Sequence, residues 1–309
     1  MNVDILVQNI FNALQFGSFY AIIALGYSMV YSILMLFNFA HGDIFMTGTY
    51  IALGVATVLL GWALPTWVVL PMTILLAMAL TSVIGMVVER VGYRPLRDAP
   101  RASAAITGLM IGIMLETGVL ALVGGQKVAF PELIKTETIH LGQITLTNIK
   151  VMIVVASLVM MAGMHQFVKR TKWGMAMRAM AYDFPVVPLM GVPINNIARM
   201  TFGMGSGLAA VAGIMFGLAY PILNPYMGIV YGWKAFVAAI LGGRGSIMGA
   251  CIAGYMLGFI EVFVTMIASS VPWMSPSWRD LISYSIILGI LVFRPHGLFG
   301  ESYSAKLRL

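Results

Sequence analysis

Asn38, His41, Gly42 and Asp43 stand together between two apolar runs, 19–37 and 44–53. Their side chains offer donors, acceptors and titratable groups, so the segment can bind a polar solute or, together with Glu116, supply an acid and a base. Lys234 and Arg244 bracket the short stretch WKAFVAAILGGR, and Glu116 and Glu261 each stand isolated in a long apolar run. Familiar catalytic patterns are missing. There is no GxxxxGK[ST] phosphate loop, HExxH, CxxC or GxSxG, and His41, His140, His165 and His296 lie too far apart in sequence to suggest a metal site. No metal or cofactor is expected on the chain, and Cys251, the single cysteine, reads as a small packing residue.

What these groups can do depends on the solvent of the elements that carry them. Of 309 residues, 60% are apolar and 9% charged, whereas soluble domains carry about 25% charged residues. Mean hydropathy is +0.94. Apolar runs near 10–36, 44–61, 66–88, 102–125, 149–168, 198–220, 246–270 and 280–293 approach or reach the roughly 20 residues that a helix needs to cross a bilayer core. Their lack of polar alternation selects helices over a barrel. The expectation is an all-α polytopic transmembrane bundle of about eight spans, with glycines four residues apart (Gly108/Gly112, Gly213/Gly217, Gly245/Gly249, Gly254/Gly258) allowing close helix approach. The N-terminus has no basic region or small-residue cleavage site, so residues 1–12 are read as mature protein.

In such a solvent a charge costs roughly 2.5–3.5 kcal/mol on insertion scales, so it must face a cavity, a partner helix or an interface. Segment 38–43 is either an unwound stretch lining a polar path or a solvated turn broken by Gly42. Segment 234–244 is either a re-entrant half-helix or a short span whose charges reach opposite interfaces. Glu116 and Glu261 can each pair with Lys234, Arg244 or a residue of a second subunit, or be protonated.

The net charge of +7 is informative through its placement, and no nucleic-acid partner is expected. Arg90, Arg94, Arg97 and Arg101 cluster in one loop; Lys169, Arg170, Lys172, Arg178 and Arg199 flank a second; Arg294, Lys306 and Arg308 close the chain. These are assigned to the cytoplasm. Lys127, Lys135, Lys150 and Arg279, diluted by Glu132, Glu137 and Asp280, are assigned to the other side, which puts the N-terminus outside and the C-terminus inside. Segments 38–44 and 242–247, and likewise Arg94-Pro95 and Arg294-Pro295, recur about 200 residues apart. This predicts a parallel internal repeat within one transmembrane domain: halves at about 10–124 and 200–300, an outer loop at 125–148 and a cytoplasmic loop at 169–199.

That cytoplasmic loop is neither membrane-like nor of disordered composition. Gly174, Arg178, Ala179, Asp183 and Gly191 punctuate a short amphipathic helix and a turn marked by Pro185, Pro188 and Pro193. Such a helix can dock in a partner's groove or lie on anionic lipid.

The pattern Gly174-x-x-x-Arg178-Ala179-x-x-x-Asp183 followed by Gly191-Val192 resembles the permease subunits of branched-chain amino-acid ABC transporters, the LivH type. So do Gly26-Tyr27-Ser28-Met29-Val30-Tyr31, segment 38–43, Glu89-Arg90-x-x-Tyr93-Arg94-Pro95 and the Lys234 to Gly243 stretch. The resemblance runs from about 10 to 300 and departs at Pro185 and Pro188, which predicts a coupling helix ending near Phe184. It implies a subunit of an ATP-driven importer in a bacterial inner membrane. The partners implied are a related second permease, two cytoplasmic ATPase subunits that bind the ATP, and a periplasmic binding protein. The transported solute is then a branched-chain amino acid, although permeases of the same pattern serve urea or short amides. A self-contained secondary transporter or channel and an intramembrane enzyme are the competing classes.

Overall fold

A computed structural model describes residues 3–141, 144–183, 186–243, 245–269, 271, 274–275 and 277–300. Its long helices are α1 (Val3–Leu34), α2 (His41–Gly61), α3 (Thr66–Val88), α4 (Arg101–Val123), α5 (Asn148–Arg170), α7 (Ile194–Ala219) and α9 (Ile247–Ser269). All seven have the length and composition to cross a membrane. The eighth expected span is a sixteen-residue helix, α10 (Trp278–Phe293), and the short stretch before Gly243 forms another, α8 (Met227–Gly242). At 1.5 Å per residue each is about 24 Å long, short of a roughly 30 Å core. The remaining helix, α6 (Lys172–Tyr182), is the amphipathic one.

Helices α1 and α7 form the centre: the membrane-length window of each is more than four-fifths buried, against 17% for α4 and for α5. Small residues permit this. Helices α1 and α9 touch backbone to backbone where Gly258 meets Gly17 and Gly254 meets Ala21, and Cys251 is buried at the same contact. Helix α3 packs on α7 through Gly85, Gly203 and Gly207. It does not stop at Val88 but continues through a π-helical turn, Glu89–Tyr93, into a 3-10 turn, Arg94–Leu96, where Pro95 ends it. The widened turn puts Glu89 inside the protein, fully buried, 2.6 Å from Arg97, which also donates to Asn195 at the start of α7.

Segment 125–148 contains structure that composition does not announce. Strands β2 (Thr138–Leu141) and β3 (Ile144–Thr147) pair antiparallel, and β1 (Val128–Ala129) pairs with β4 (Ile222–Leu223) after α7. Gln8 near the start of α1 exchanges hydrogen bonds with the backbone of Thr145. This end therefore holds the start of α1, with Lys127, Lys135, Lys150 and Arg279.

At the opposite end Gly243 meets Gly297 and Gly300, Gly245 meets Ser32, and Arg97 reaches Asn195. The ends of α1, α3, α5, α8 and α10 gather there, as do the starts of α4, α7 and α9. So do the ten described basic residues that the sequence places on one side; Lys306 and Arg308 lie outside the described residues. The charge segregation read from the loops is thus a property of the fold, with α1 beginning at the weakly charged end and α10 finishing at the basic one.

Candidate functional site

The chain between α1 and α2 doubles back inside the bundle. Helix α1 ends at Leu34, Met35 takes a left-handed φ of 51°, and α2 starts only at His41. His41 lies against Gly26, eight residues before the end of α1, and its ring meets that of Tyr27 at 4.6 Å. Gly42 packs against Gly232, ten residues before the end of α8. Helix rise converts these offsets to about 12–15 Å, so α2 begins near mid-depth of the bundle. Asn38, His41 and Asp43 are all buried. Of the two readings of segment 38–43, the interrupted one describes the geometry, and the solvated turn does not.

Aromatic rings hold the returning strand in place. Phe37 stacks on Tyr31 at 4.2 Å, and Phe236 of α8 touches Tyr27, Phe37 and Phe39 at 5.7, 5.0 and 5.1 Å. Tyr93 donates to Asn38 Oδ1 at 3.0 Å. Below the strand, toward the basic end, a crevice of about 500 Å³ is lined by Tyr31, Phe37, Phe39, Ile240 and the first turn of α4, with Arg101 as its only charge among the described residues.

Asp43 sits in the first turn of α2, where the helix dipole favours a carboxylate. It also faces the start of α8: a Cβ on Gly228 would fall 2.6 Å from Asp43 Oδ1, and one on Gly42 would fall 2.8 Å from the Cα of Gly232. Only glycine at these positions lets the two helix starts meet. Asp43 Oδ2 points at Gly112 of α4, and Glu116, one turn further along α4, is half-buried. Thr47 and Tyr50 continue the face of Asp43 along α2, as expected for i, i+4 and i+7. Asp43 Oδ1, Thr47 Oγ1 and Tyr50 OH are buried without a hydrogen-bond partner. No cation balances the Asp43–Glu116 pair among the described residues.

Lys234 and Glu261 belong to a different place. Lys234 Nζ lies 2.7 Å from Glu261 and 2.9 Å from Asp280, Arg279 reaches Asp280 at 3.1 Å, and Tyr20 donates to Glu261 at 2.8 Å. Two cations and two anions thus tie α8, α9 and α10 together, with α1 attached through the tyrosine. The Lys234–Glu261 partnership is one of the pairings the sequence left open, whereas Asp280 had been read only as a loop charge. Arg244 lies outside the described residues.

Around α6, Thr171 caps the helix by accepting from Gly174 N–H at 3.0 Å, and Gly174 is buried against the carbonyls of Phe167 and Val168. Buried Met177 and Met180 fasten the helix to the bundle, while Trp173, Met175, Tyr182, Leu189 and Met190 are exposed. Arg178 donates to the Val168 carbonyl, so it fixes the angle between α5 and α6. Ala179 and Asp183 are exposed, and Gly191 ends the following 3-10 turn with a φ of 76°. The helix stops at Tyr182; Phe184 and Pro185 lie outside the described residues.

Missed by sequence reasoning were the Glu89–Arg97–Asn195 link, the stripe of Thr47 and Tyr50, and the role of Phe236. The first is hidden because an acid and a base eight residues apart meet only if the helix between them changes pitch. The stripe was readable from its helical spacing.

Comparison with known proteins shows the family. The chain is 35% identical to the high-affinity branched-chain amino acid transport system permease protein BraD of Pseudomonas aeruginosa, over 97% of this chain and 98% of the relative. It is 34% identical to LivH of Salmonella typhimurium, covering 97% of both, and 24% identical to a probable LivH of Methanocaldococcus jannaschii, covering 96% and 93%. Residues 9–291 match the family described as branched-chain amino acid transport system / permease component. With more than nine-tenths of the chain inside that match, the protein belongs to the family of branched-chain amino-acid transport permeases.

Proposed function

We propose that this chain is one permease of an ATP-driven importer for leucine, isoleucine and valine, working by alternating access with a related second permease. Two separate ATPase subunits carry out the hydrolysis, and an external binding protein delivers the solute. The basic end, with α6, faces the cytoplasm, as expected where Lys and Arg accumulate, and the start of α1 faces outward. The observation that carries the reading is the seam of α2, α4 and α8 inside the bundle. There, two helix starts and the unbalanced carboxylates of Asp43 and Glu116 offer complementary charges to a zwitterion. The solute's ammonium is held by Asp43 and Glu116, and its carboxylate lies at the helix starts. Its aliphatic side chain then passes the aromatic strand toward the apolar crevice beyond. Helix α4, covered on one narrow face only, presents the side of this seam to the second permease. The two chain breaks and the two Arg-Pro pairs, each at matching points in the helix order, support an internal duplication with halves near 10–124 and 200–300.

The test is uptake by the four-component complex in proteoliposomes. Leucine should accumulate only with ATP and the binding protein. Flux without ATP, or accumulation of urea or acetamide instead, defeats the assignment. In the same assay Asp43→Asn should raise KM for leucine about tenfold, the loss of one charge-assisted hydrogen bond. Unchanged kinetics would return Asp43 to a structural role.

A further inference from the structure

A cavity of about 830 Å³ lies away from the seam, at the weakly charged end. Helix α1 gives it a polar stripe, Asn9, Asn12 and Gln15; the first turn of α5 gives Lys150; Glu261 and Arg279 stand at its side. Phe16, Leu218 and Val262 form the apolar wall. None of these residues borders the seam around Asp43.

The charge balance of the cavity is uneven. Glu261 is occupied by Lys234 and Tyr20, and Asp280 by Lys234 and Arg279, so these four charges cancel. Among the described residues Lys150 has only a neutral acceptor, Asn12 Oδ1 at 2.8 Å, and no carboxylate offsets its ammonium. Gln15 is 5% exposed, and its amide, without a hydrogen-bond partner among the described residues, can donate and accept. The Lys150 cation with the Gln15 amide nearby can hold an anion, and Phe16, Leu218 and Val262 in the same lining offer hydrocarbon to an apolar chain. Lys150 stands in the first turn of a membrane-length helix, the level at which lipid head groups lie. The volume falls in the roughly 300–1,000 Å³ range of sites for drug-sized ligands, and is larger than a single amino acid fills.

We infer that this cavity binds an anionic amphiphile, an acidic membrane phospholipid of that leaflet, with its phosphate on Lys150 and Gln15 and an acyl chain against Phe16, Leu218 and Val262. The site stands independently of the transport assignment.

The test uses the intact transporter complex, purified in mild detergent and probed with phosphatidylglycerol or phosphatidylcholine, with retained lipid counted by native mass spectrometry. Phosphatidylglycerol should be retained and should raise the thermal midpoint, and Lys150→Gln should retain it about tenfold less, whereas Lys150→Arg keeps it. Val262→Trp, which fills the apolar wall and leaves the charge, should weaken retention as well and covers the case in which Lys150→Gln fails to fold. Lys135→Gln, a control at the same end, should bind as the parent does. Equal retention of phosphatidylcholine, or retention unaffected by both cavity variants, overturns the inference. Displacement of the lipid by millimolar leucine also overturns it, and identifies an amino-acid site instead.

Discussion

Lys234→Met should yield a permease that is destabilised by about 3–5 kcal/mol, a large part of the roughly 5–15 kcal/mol that holds a typical fold together. The reason is the asymmetry of buried ion pairs. The side chains of Lys234 and Glu261 are 3% and 4% exposed, so removing the ammonium leaves an almost fully buried glutamate without its closest cation. Asp280, at 44% exposure, loses less, because solvent and Arg279 remain available to it. The double variant Lys234→Met with Glu261→Gln should recover most of the loss, since the amide still accepts from Tyr20 and no buried charge is orphaned. Thermal denaturation in detergent and the monodisperse yield read both outcomes. Equal melting of Lys234→Met and the parent would mean that the quartet contributes little to the packing of α8 against α9 and α10.

The second large effect is expected outside the membrane. Leu189 and Met190 are 83% and 78% exposed, and Met175 is 62% exposed, on a loop otherwise fastened by Met177 and Met180. Apolar side chains held outward by a rigid helix are suited to a partner's groove, where each anchor is worth about 2 kcal/mol or more. Met175→Glu with Leu189→Glu should therefore leave folding and melting unchanged, yet reduce ATP-driven leucine uptake by more than about a hundredfold. Met177→Glu should fail earlier, by unfolding the loop. The charge swap Arg178→Glu with Asp183→Lys carries two effects at once, because Arg178 also positions α6 on Val168. Retained coupling in Met175→Glu with Leu189→Glu would mean that α6 lies on lipid rather than on an ATPase.

Most of the spans were legible, because an uninterrupted apolar run of twenty residues has only one economical conformation in lipid. The interruption at 38–43 was legible as composition, but its depth was not. Depth depends on α1 running to Leu34, on Met35 turning back, and on Phe236 arriving from two hundred residues away. The β2–β3 hairpin was readable in the alternation Thr-Ile-His-Leu and Ile-Thr-Leu-Thr on either side of Gly142-Gln143, a signal masked by treating 125–148 as loop. For α6, spacing showed the helix, and Pro185 and Pro188 nearly its end. Which side chains point outward required knowing that Gly174 turns the chain sharply against the end of α5.

The glycine contact between the beginnings of α2 and α8 has a mechanical corollary. At Gly42 and Gly232 the seam between α2 and α8 is backbone against backbone, with no side chain between them. A contact that thin parts once one helix start withdraws by about the 3.5–4 Å of a single van der Waals contact. If α6 couples to an ATPase as proposed, the stroke demanded of it is short, and a small rotation there amplified along the length of a helix can supply it.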